Sequence, residues 1–356
     1  MSGLPIHLAN LITIFVYTGL SFLLATFFFP PFIRFIRNAK LTQKIRQDGL
    51  SGGAAKLFRQ LHGHKSGTPT MGGIVILLAV LGTVVLSRIL AYFGWIDASI
   101  LNRGETYLPI LTLFLVGGLG VIDDYLNIRE KGKQKGLPAK IKFWTLVGFA
   151  LLGAIWFTFK LEWSIIHLPG IGDFDIGLWY FPLFVFILVG SANSVNLTDG
   201  LDGLAGGLLA ISYVCFAVIS YFYGLPILSV FCAVIVGALV SFLWFNVPPA
   251  KIYMGDTGSL ALGATLGVIA MLTNAIAILA IVGLIFILET LSVIIQLFWK
   301  KYFKRKFFLI APIHHHFEAK GWSETQIVMR FWIVGAGVGV IGLIVGLIGM
   351  GNGGIL

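Results

Sequence analysis

Long stretches without a single charged side chain constrain the fold of this 356-residue sequence more than any other feature. A helix needs about 20 apolar residues to cross the hydrocarbon core of a bilayer. These stretches are continuous rather than alternating in polarity, so they predict an all-α polytopic membrane protein and exclude a β-barrel. Eight of them contain no Asp, Glu, Lys or Arg: 1–33, 66–87, 106–122, 143–159, 176–198, 203–250, 257–288 and 331–356.

The composition points the same way. Hydrophobic residues make up 58% of the chain and charged residues 11%, against about 25% charged in an ordinary soluble domain. This balance excludes a soluble globular enzyme and a disordered chain. The two cysteines, Cys215 and Cys232, lie inside apolar stretches, so neither a disulfide framework nor a CxxC site is expected.

The lengths of the stretches predict ten transmembrane helices in a single membrane-embedded domain, 1–356. The stretch 203–250 is long enough for two helices that turn at 224–226. The segment 257–299 carries one charge, Glu289, and also predicts two helices, with a turn near 273–274.

A short external β-hairpin is predicted between helices four and five. Segment 163–177 carries a Pro169–Gly170 turn between two short runs that contain Ile and Phe. The last helix carries glycines on one face, at 335, 339, 342, 346 and 349. Such a face permits close helix packing, either within one chain or between two subunits.

The positions of the basic residues predict the orientation in the membrane. Of the 25 Lys and Arg residues, 22 follow helices one, three, seven and nine, and only Arg88, Arg103 and Lys160 fall on the other side. By the positive-inside rule these connections are cytoplasmic and both termini lie outside. The net charge of +10 therefore reflects membrane topology, and we expect no nucleic-acid partner.

Polar residues that apolar packing does not explain follow helices one, three, five, seven and nine. Ionisable groups at a membrane boundary are costly and are usually functional. All five groups fall on the cytoplasmic side, which predicts one active site built by five cytoplasmic loops. They are 65–73, Asp123 with Asp124, 193–203, Asn246 with 254–259, and 311–318.

The carboxylates in these groups indicate a divalent cation. Asp123 and Asp124 are adjacent and repel each other unless a cation compensates, and Mg²⁺ in proteins is held by one or two carboxylates together with substrate phosphates. Glycines flank Asp256 and favour an approaching phosphate. Basic residues and the histidine run 314–316 suit phosphate or hydroxyl groups. Together these features predict phosphoryl transfer from a cytosolic donor to a lipid acceptor.

The motifs resemble the MraY family, the phospho-N-acetylmuramoyl-pentapeptide transferases (translocase I) of bacterial peptidoglycan synthesis. The resemblance covers nearly the whole chain in order, and its most specific part is the histidine motif with the residues that follow it. The matching sequences are KSGTPTMGG at 65–73, DDY at 123–125, NLTDGLDG at 196–203, MGDTGS at 254–259 and PIHHHFE at 312–318.

The resemblance implies a reaction, a cofactor and a set of site residues. Phospho-MurNAc-pentapeptide would pass from UDP-MurNAc-pentapeptide to undecaprenyl phosphate, giving lipid I and UMP, with Mg²⁺ as cofactor. The enzyme would be a homodimer in the bacterial cytoplasmic membrane and would serve cell wall growth and division. Asp123, Asp124 and Asp256 match the catalytic aspartates, with Asp256 as Mg²⁺ ligand. Substrate-binding positions match Lys65, Thr70, Lys142, Asn196, Asp199, Gly200, Asp202, Asn246, Tyr253, His315 and His316.

Two residues depart from the usual family pattern, because Asn127 replaces a Lys and Tyr253 a Phe. The main alternative is a polyprenyl-phosphate transferase that uses UDP-N-acetylglucosamine, and a more distant one is a transporter of anionic solutes. Two mechanisms are open, a phospho-aspartate intermediate or direct attack by the lipid phosphate. The second ionisation of a phosphate monoester, with a pKa of about 6, favours direct attack.

Overall fold

Twelve α-helices form most of the part of the chain that the computed structural model describes, which is residues 6–39, 67–96, 98–102, 104–129 and 136–349. In chain order they are α1 (Ile6–Asn38), α2 (Gly73–Tyr92), α3 (Tyr107–Arg129), α4 (Ala139–Ile155), α5 (Tyr180–Thr198), α6 (Leu204–Phe222), α7 (Pro226–Asn246), α8 (Gly255–Leu272), α9 (Ile276–Val282), α10 (Leu284–Phe303), α11 (Ile313–Ala319) and α12 (Glu324–Gly349). One turn of π-helix, Trp156–Lys160, extends α4.

Within the described ranges, nine helices are long and apolar enough to cross a membrane on their own. The short α9 and the longer α10 are bent by 78° at Gly283 and make a tenth span only when taken together. The structure therefore confirms an all-α polytopic membrane protein. Ten spans, as predicted, are present when the bent pair is counted as one, and the break at Gly283 is a feature that the apolar run does not predict.

The predicted turns and the hairpin are confirmed. Strand β1 (Ile165–Leu168) pairs antiparallel with β2 (Gly172–Asp175), in the register Ile165 to Asp175. Helix α7 begins at Pro226, whose fixed backbone angle suits the first helical turn. The preceding Gly224 has a φ of 76°, which lets the chain reverse between α6 and α7.

Helix α8 lies at the centre of the bundle. It packs against α2, α3, α5 and α6, and nearly every residue from Thr257 to Met271 is buried. Glycines permit this close packing: a side chain at Gly120 on α3 would collide with the backbone of Thr257. The first turn of α8 is consequently held in place by neighbours on several sides.

The glycine face of α12 packs within the chain. Gly335, Gly339, Gly342, Gly346 and Gly349 are buried on one side of the helix. Side chains added there would meet residues of α6, α9 and the hairpin loop, namely Leu208, Cys215, Val282, Ile278 and Pro169. Of the two roles open for this face, the structure supports contact within the subunit.

Several residues of the predicted loop sites lie in helices, Asn196 in α5 and Asn246 at the end of α7 among them. Asp123 and Asp124 sit inside α3, which continues to Arg129 instead of ending at the pair. Asp256 is in the first turn of α8, and the three histidines lie in α11. These residues have more fixed positions than loop residues, because each belongs to a hydrogen-bonded helix.

Candidate functional site

Asp124 holds the N-terminus of α8. Its Oδ1 accepts the Asp256 N–H at 3.0 Å, and its Oδ2 accepts the N–H and the hydroxyl of Thr257 at 3.0 and 2.7 Å. Gly255, with a φ of 75°, leads into this turn, and a Cβ there would lie 2.5 Å from Asp124 Oδ2. The carboxylate thus satisfies free amides at the positive end of a helix, and it places Asp256.

Lys142 joins the other two aspartates. Its Nζ donates to Asp123 Oδ2 at 2.8 Å and also contacts Asp256 Oδ2. The Asp123 side chain is 1% exposed, whereas Lys142 and Asp256 are each 21% exposed. The side chains of Lys142 and Asp256 therefore form the open edge of the cluster, where a ligand can reach them.

Asp123 and Asp256 also accept hydrogen bonds from neutral donors. Asp123 Oδ1 accepts the Leu137 N–H at 2.7 Å, and Asn127 Nδ2 donates to Asp123 Oδ2 at 3.2 Å. Asp256 Oδ1 accepts from Asn196 Nδ2 at 2.8 Å, and the same amide donates to Ser259 Oγ at 2.9 Å. Asn127, which replaces the usual family Lys, thus supports Asp123 here.

The first motif reaches this cluster through backbone pairing. Tyr253 N–H donates to Pro69 O at 2.9 Å, and Gly72 N–H donates to Tyr253 O at 2.8 Å. Thr70 is buried between these two contacts. Lys65 lies outside the described residues, so its predicted contact with substrate stays a prediction.

The connection between α5 and α6, residues 199–203, carries a second carboxylate pair. Burial, and after it the charges of Asp256, Asp124 and Asp202, raises the pKa of Asp199 to about 7. Asp202 Oδ2 accepts the Ala250 N–H at 3.0 Å. This bond ties the loop to the segment that leads into α8, and the predicted contacts of Asp199, Gly200 and Asp202 with substrate stay predictions.

Asn246 ties this loop to the segment after α7. Its Oδ1 accepts the Gly203 N–H at 2.9 Å, and its Nδ2 donates to Ile252 O at 2.9 Å. The side chain is buried. Both polar ends of Asn246 therefore brace the protein itself, and its predicted contact with substrate stays a prediction.

The three histidines have three different surroundings. His314 is fully buried, and its Nδ1 lies 3.0 Å from Glu289 Oε2. His315 Nδ1 lies 2.5 Å from Glu318 Oε2. His316 Nδ1 accepts the Leu309 N–H at 3.2 Å, and burial, with a smaller effect from Lys320, lowers the pKa of His316. His315 and His316, the two predicted substrate contacts, are the partly exposed ones.

Several partners were not identified from the sequence. Glu289 pairs with His314, Glu318 pairs with His315, and Glu324 accepts the Asp202 N–H at 2.7 Å. Glu289 is the only charged residue between positions 257 and 299. Its isolation in the sequence marks it as unusual, but it does not predict that Glu289 contacts α11. The Leu137 amide carries no sequence signal at all.

The aspartate cluster fits a hard cation. Carboxylate oxygens of Asp123 and Asp256 converge on the ammonium group of Lys142, so the structure already places one cation between them. Among the described residues no three His, Cys, Asp or Glu side chains are grouped as metal ligands. One or two carboxylates with water and phosphate form the usual Mg²⁺ site in phosphoryl-transfer enzymes, and this cluster matches that pattern.

The fold and the cluster define a helical membrane protein with carboxylates, a lysine and an amide grouped at the ends of its helices, and the comparisons identify it as a transferase. The family model for glycosyl transferase family 4 matches residues 106–274, which include Asp123, Lys142, Asn196 and Asp256. Signature 1 of the phospho-N-acetylmuramoyl-pentapeptide-transferases matches residues 65–77. The chain belongs to the phospho-N-acetylmuramoyl-pentapeptide-transferase family.

Curated relatives share this assignment over almost their whole length. The phospho-N-acetylmuramoyl-pentapeptide-transferase of Geobacillus kaustophilus (strain HTA426) is 41% identical over 335 residues, covering 93% of this chain and 97% of the relative. That of Pelagibacter ubique (strain HTCC1062) is 41% identical over 353 residues, covering 92% and 91%. That of Oceanobacillus iheyensis is 40% identical over 338 residues, covering 94% and 96%. The family resemblance found in the sequence is confirmed.

Proposed function

We propose that this protein transfers phospho-MurNAc-pentapeptide from UDP-MurNAc-pentapeptide to undecaprenyl phosphate, yielding lipid I and UMP. The observation that carries the proposal is Lys142 at the open edge of the cluster, between Asp123 and Asp256. A cation in this position can receive the phosphates of two anionic substrates. The names of the relatives supply the identity of the donor.

The charge of the cluster supports a Mg²⁺ cofactor. Two carboxylates, Asp123 and Asp256, contact the ammonium group of Lys142, a third, Asp124, lies beside them and accepts the Asp256 N–H, and both substrates bring further negative charge. Adjacent like charges in a partly desolvated site require a compensating cation. Asp256, with Asp123 beside it, would hold Mg²⁺, which would neutralise charge on the transferring phosphate and the leaving UMP.

Direct attack by the lipid phosphate is the mechanism that we favour. The acceptor is largely dianionic at neutral pH, since the second pKa of a phosphate monoester is about 6, and it needs no strong base. An acceptor oxygen forms a bond to the phosphorus attached to MurNAc, and the bond to the oxygen of UMP breaks. Asp123 accepts hydrogen bonds from Leu137, Asn127 and Lys142. In this scheme it positions Lys142.

We also place the site at the cytoplasmic face of the bacterial inner membrane. The 22-to-3 distribution of Lys and Arg supports this orientation with both termini outside. A cytosolic nucleotide and a lipid acceptor can meet only at that boundary. A homodimer is part of the same proposal and rests on the family resemblance alone.

A donor assay tests the proposal. Purified protein should release UMP from UDP-MurNAc-pentapeptide with Mg²⁺ and undecaprenyl phosphate, and should ignore UDP-N-acetylglucosamine. Efficient use of the smaller sugar would favour the alternative transferase. No covalent adduct between the protein and phospho-MurNAc-pentapeptide should form when donor is given without acceptor. Such an adduct on Asp123 or Asp124 would indicate the two-step route.

Asp256→Asn tests the metal assignment in the same assay. We expect more than a tenfold loss of turnover, equivalent to about 1.4 kcal/mol or more, because the amide is a weaker ligand for Mg²⁺. Asp175→Asn is the matched control, since Asp175 lies in the exposed hairpin strand β2, away from the cluster. Similar turnover in both variants would contradict the role of Asp256.

A further inference from the structure

A buried ionisable pair lies beside the site without being part of the aspartate cluster. Glu289 on α10 and His314 on α11 are both 0% exposed, and 3.0 Å separates Glu289 Oε2 from His314 Nδ1. Charged groups inside a membrane protein are costly and usually functional. The aspartate chemistry proposed above uses neither residue.

The pair is only half satisfied. Among the described residues, Glu289 Oε1 and His314 Nε2 are buried and have no hydrogen-bond partner. Buried polar groups nearly always have partners, and a buried ion pair often stabilises a fold no better than apolar side chains of similar size. Stability alone therefore gives a poor account of this pair.

The contacts of His314 point to the 199–203 loop. Its Nε2 lies against Gly200, where a Cβ would overlap the ring. Gly200 follows Asp199 directly. The imidazole edge thus sets how closely this loop approaches α11.

Helix α10 makes a second contact with the same region. Thr290, the neighbour of Glu289, donates from Oγ1 to Ser194 Oγ at 2.8 Å. Ser194 lies on α5, one turn before the 199–203 loop and close to Asn196, which bonds Asp256. Residues 289–290 therefore connect α10 to α5 and, through His314, to the loop that follows α5.

We propose that Glu289 is a positioning residue for the donor site. By holding His314, Glu289 keeps the 199–203 loop in place against α10 and α11. The proposal rests on the proposed function, in which this loop belongs to the nucleotide pocket. His314 supports the loop from the buried side of α11, next to the partly exposed His315 and His316. Loss of the brace should weaken donor binding and leave the acceptor side unchanged.

The test separates positioning from fold stability by removing one or both partners. Glu289→Met alone should lower the melting temperature, because it leaves His314 buried beside an apolar group. The double variant Glu289→Met with His314→Leu should recover the melting temperature, since apolar replacement of a whole buried pair is tolerated. Its KM for UDP-MurNAc-pentapeptide should nevertheless be about tenfold above that of wild type, with the KM for undecaprenyl phosphate unchanged.

Conservative variants sharpen the comparison. Glu289→Gln keeps an oxygen that can accept a His314 Nδ1–H and should give a donor KM between those of wild type and the double variant. Ser292→Ala is the matched control, because Ser292 is buried on the same helix and its hydroxyl donates to the Glu289 carbonyl within that helix, at 2.6 Å. We expect a wild-type donor KM for Ser292→Ala.

Binding of UMP, measured by equilibrium dialysis, separates failure of this proposal from failure of the proposed function. The double variant should bind UMP about tenfold more weakly than wild type. Equal UMP affinity and equal donor KM, or an equal rise in both KM values, would overturn the brace. A wild-type protein that binds UMP but releases none from UDP-MurNAc-pentapeptide would instead overturn the proposed function.

Discussion

Asp124→Asn is the substitution that best distinguishes a structural role from a catalytic one within the aspartate pair. The change keeps the size of the side chain and removes its charge and one acceptor oxygen. In the structure both oxygens accept hydrogen bonds from the start of α8, from Asp256 and Thr257. We therefore expect the substitution to destabilise the first turn of α8 and to displace Asp256.

The magnitude follows from the three hydrogen bonds. Asparagine can direct its oxygen to the two Thr257 donors, but its amide group then faces the Asp256 N–H, now 3.0 Å from Oδ1. An unsatisfied buried donor costs about 1–3 kcal/mol, and the lost interaction of a charge with the helix N-terminus adds about 0.3–1 kcal/mol. The expected loss of unfolding free energy is about 1–4 kcal/mol.

The two native cysteines provide the assay. Cys215 and Cys232 are free and buried, so a thiol-reactive dye reports unfolding in detergent without any engineered label. Asp124→Asn should melt several degrees below wild type. Asp123→Asn removes the ion pair with Lys142 but no bond to α8 and should lower turnover, while Asp175→Asn in the exposed strand β2 is the control that should melt like wild type. If Asp124→Asn melts like wild type but loses as much turnover as Asp123→Asn, the capping argument is wrong.

Three further predictions follow from single residues. Burial raises the pKa of Asp199 to about 7 from an ordinary value of about 3.9, so between these pH values the folded protein holds a proton that the unfolded chain releases. The melting temperature should therefore fall as the pH rises from about 4 to about 7, and Asp199→Asn should flatten that slope. Gly200→Ala should lower turnover, since its Cβ would overlap His314, whereas Gly190→Ala on α5, where a Cβ meets no atom within 4 Å, should not. In a variant without Cys215 and Cys232, a cysteine at Lys320 should react with an impermeant reagent only from the cytoplasm and one at Asp173 only from outside; labelling of both from one side would contradict the topology.

The membrane-spanning helices could be predicted from the sequence because their signal is local. Charge-free runs of sufficient length give the spans, and Gly224 with Pro226 gives the α6–α7 turn. The break at Gly283 could not be predicted in this way. An apolar run has the same composition whether its helix is straight or bent by 78°, and packing of α9 against α12 does not appear in local composition.

The grouping of the site residues could also be predicted, because the positive-inside rule places alternate connections on one side. The different roles of the individual residues could not be predicted. Asp123 and Asp124 are adjacent and chemically identical, yet one meets Lys142 and the other caps α8. Neighbouring positions on a helix point in different directions, so their partners depend on which helices pack on each face.

The contact between Lys142 and Asp123 explains how the chain accommodates asparagine instead of lysine at position 127. Asn127 and Asp123 are four residues apart on α3, on one face of the helix. A lysine there would bring a second ammonium group toward Asp123, which Lys142 already contacts at 2.8 Å. With asparagine, Lys142 is the cation that meets Asp123 among the described residues, and it is shared with Asp256. Helix α4 therefore places the positive charge that offsets the charges of Asp123 and Asp256 in this chain.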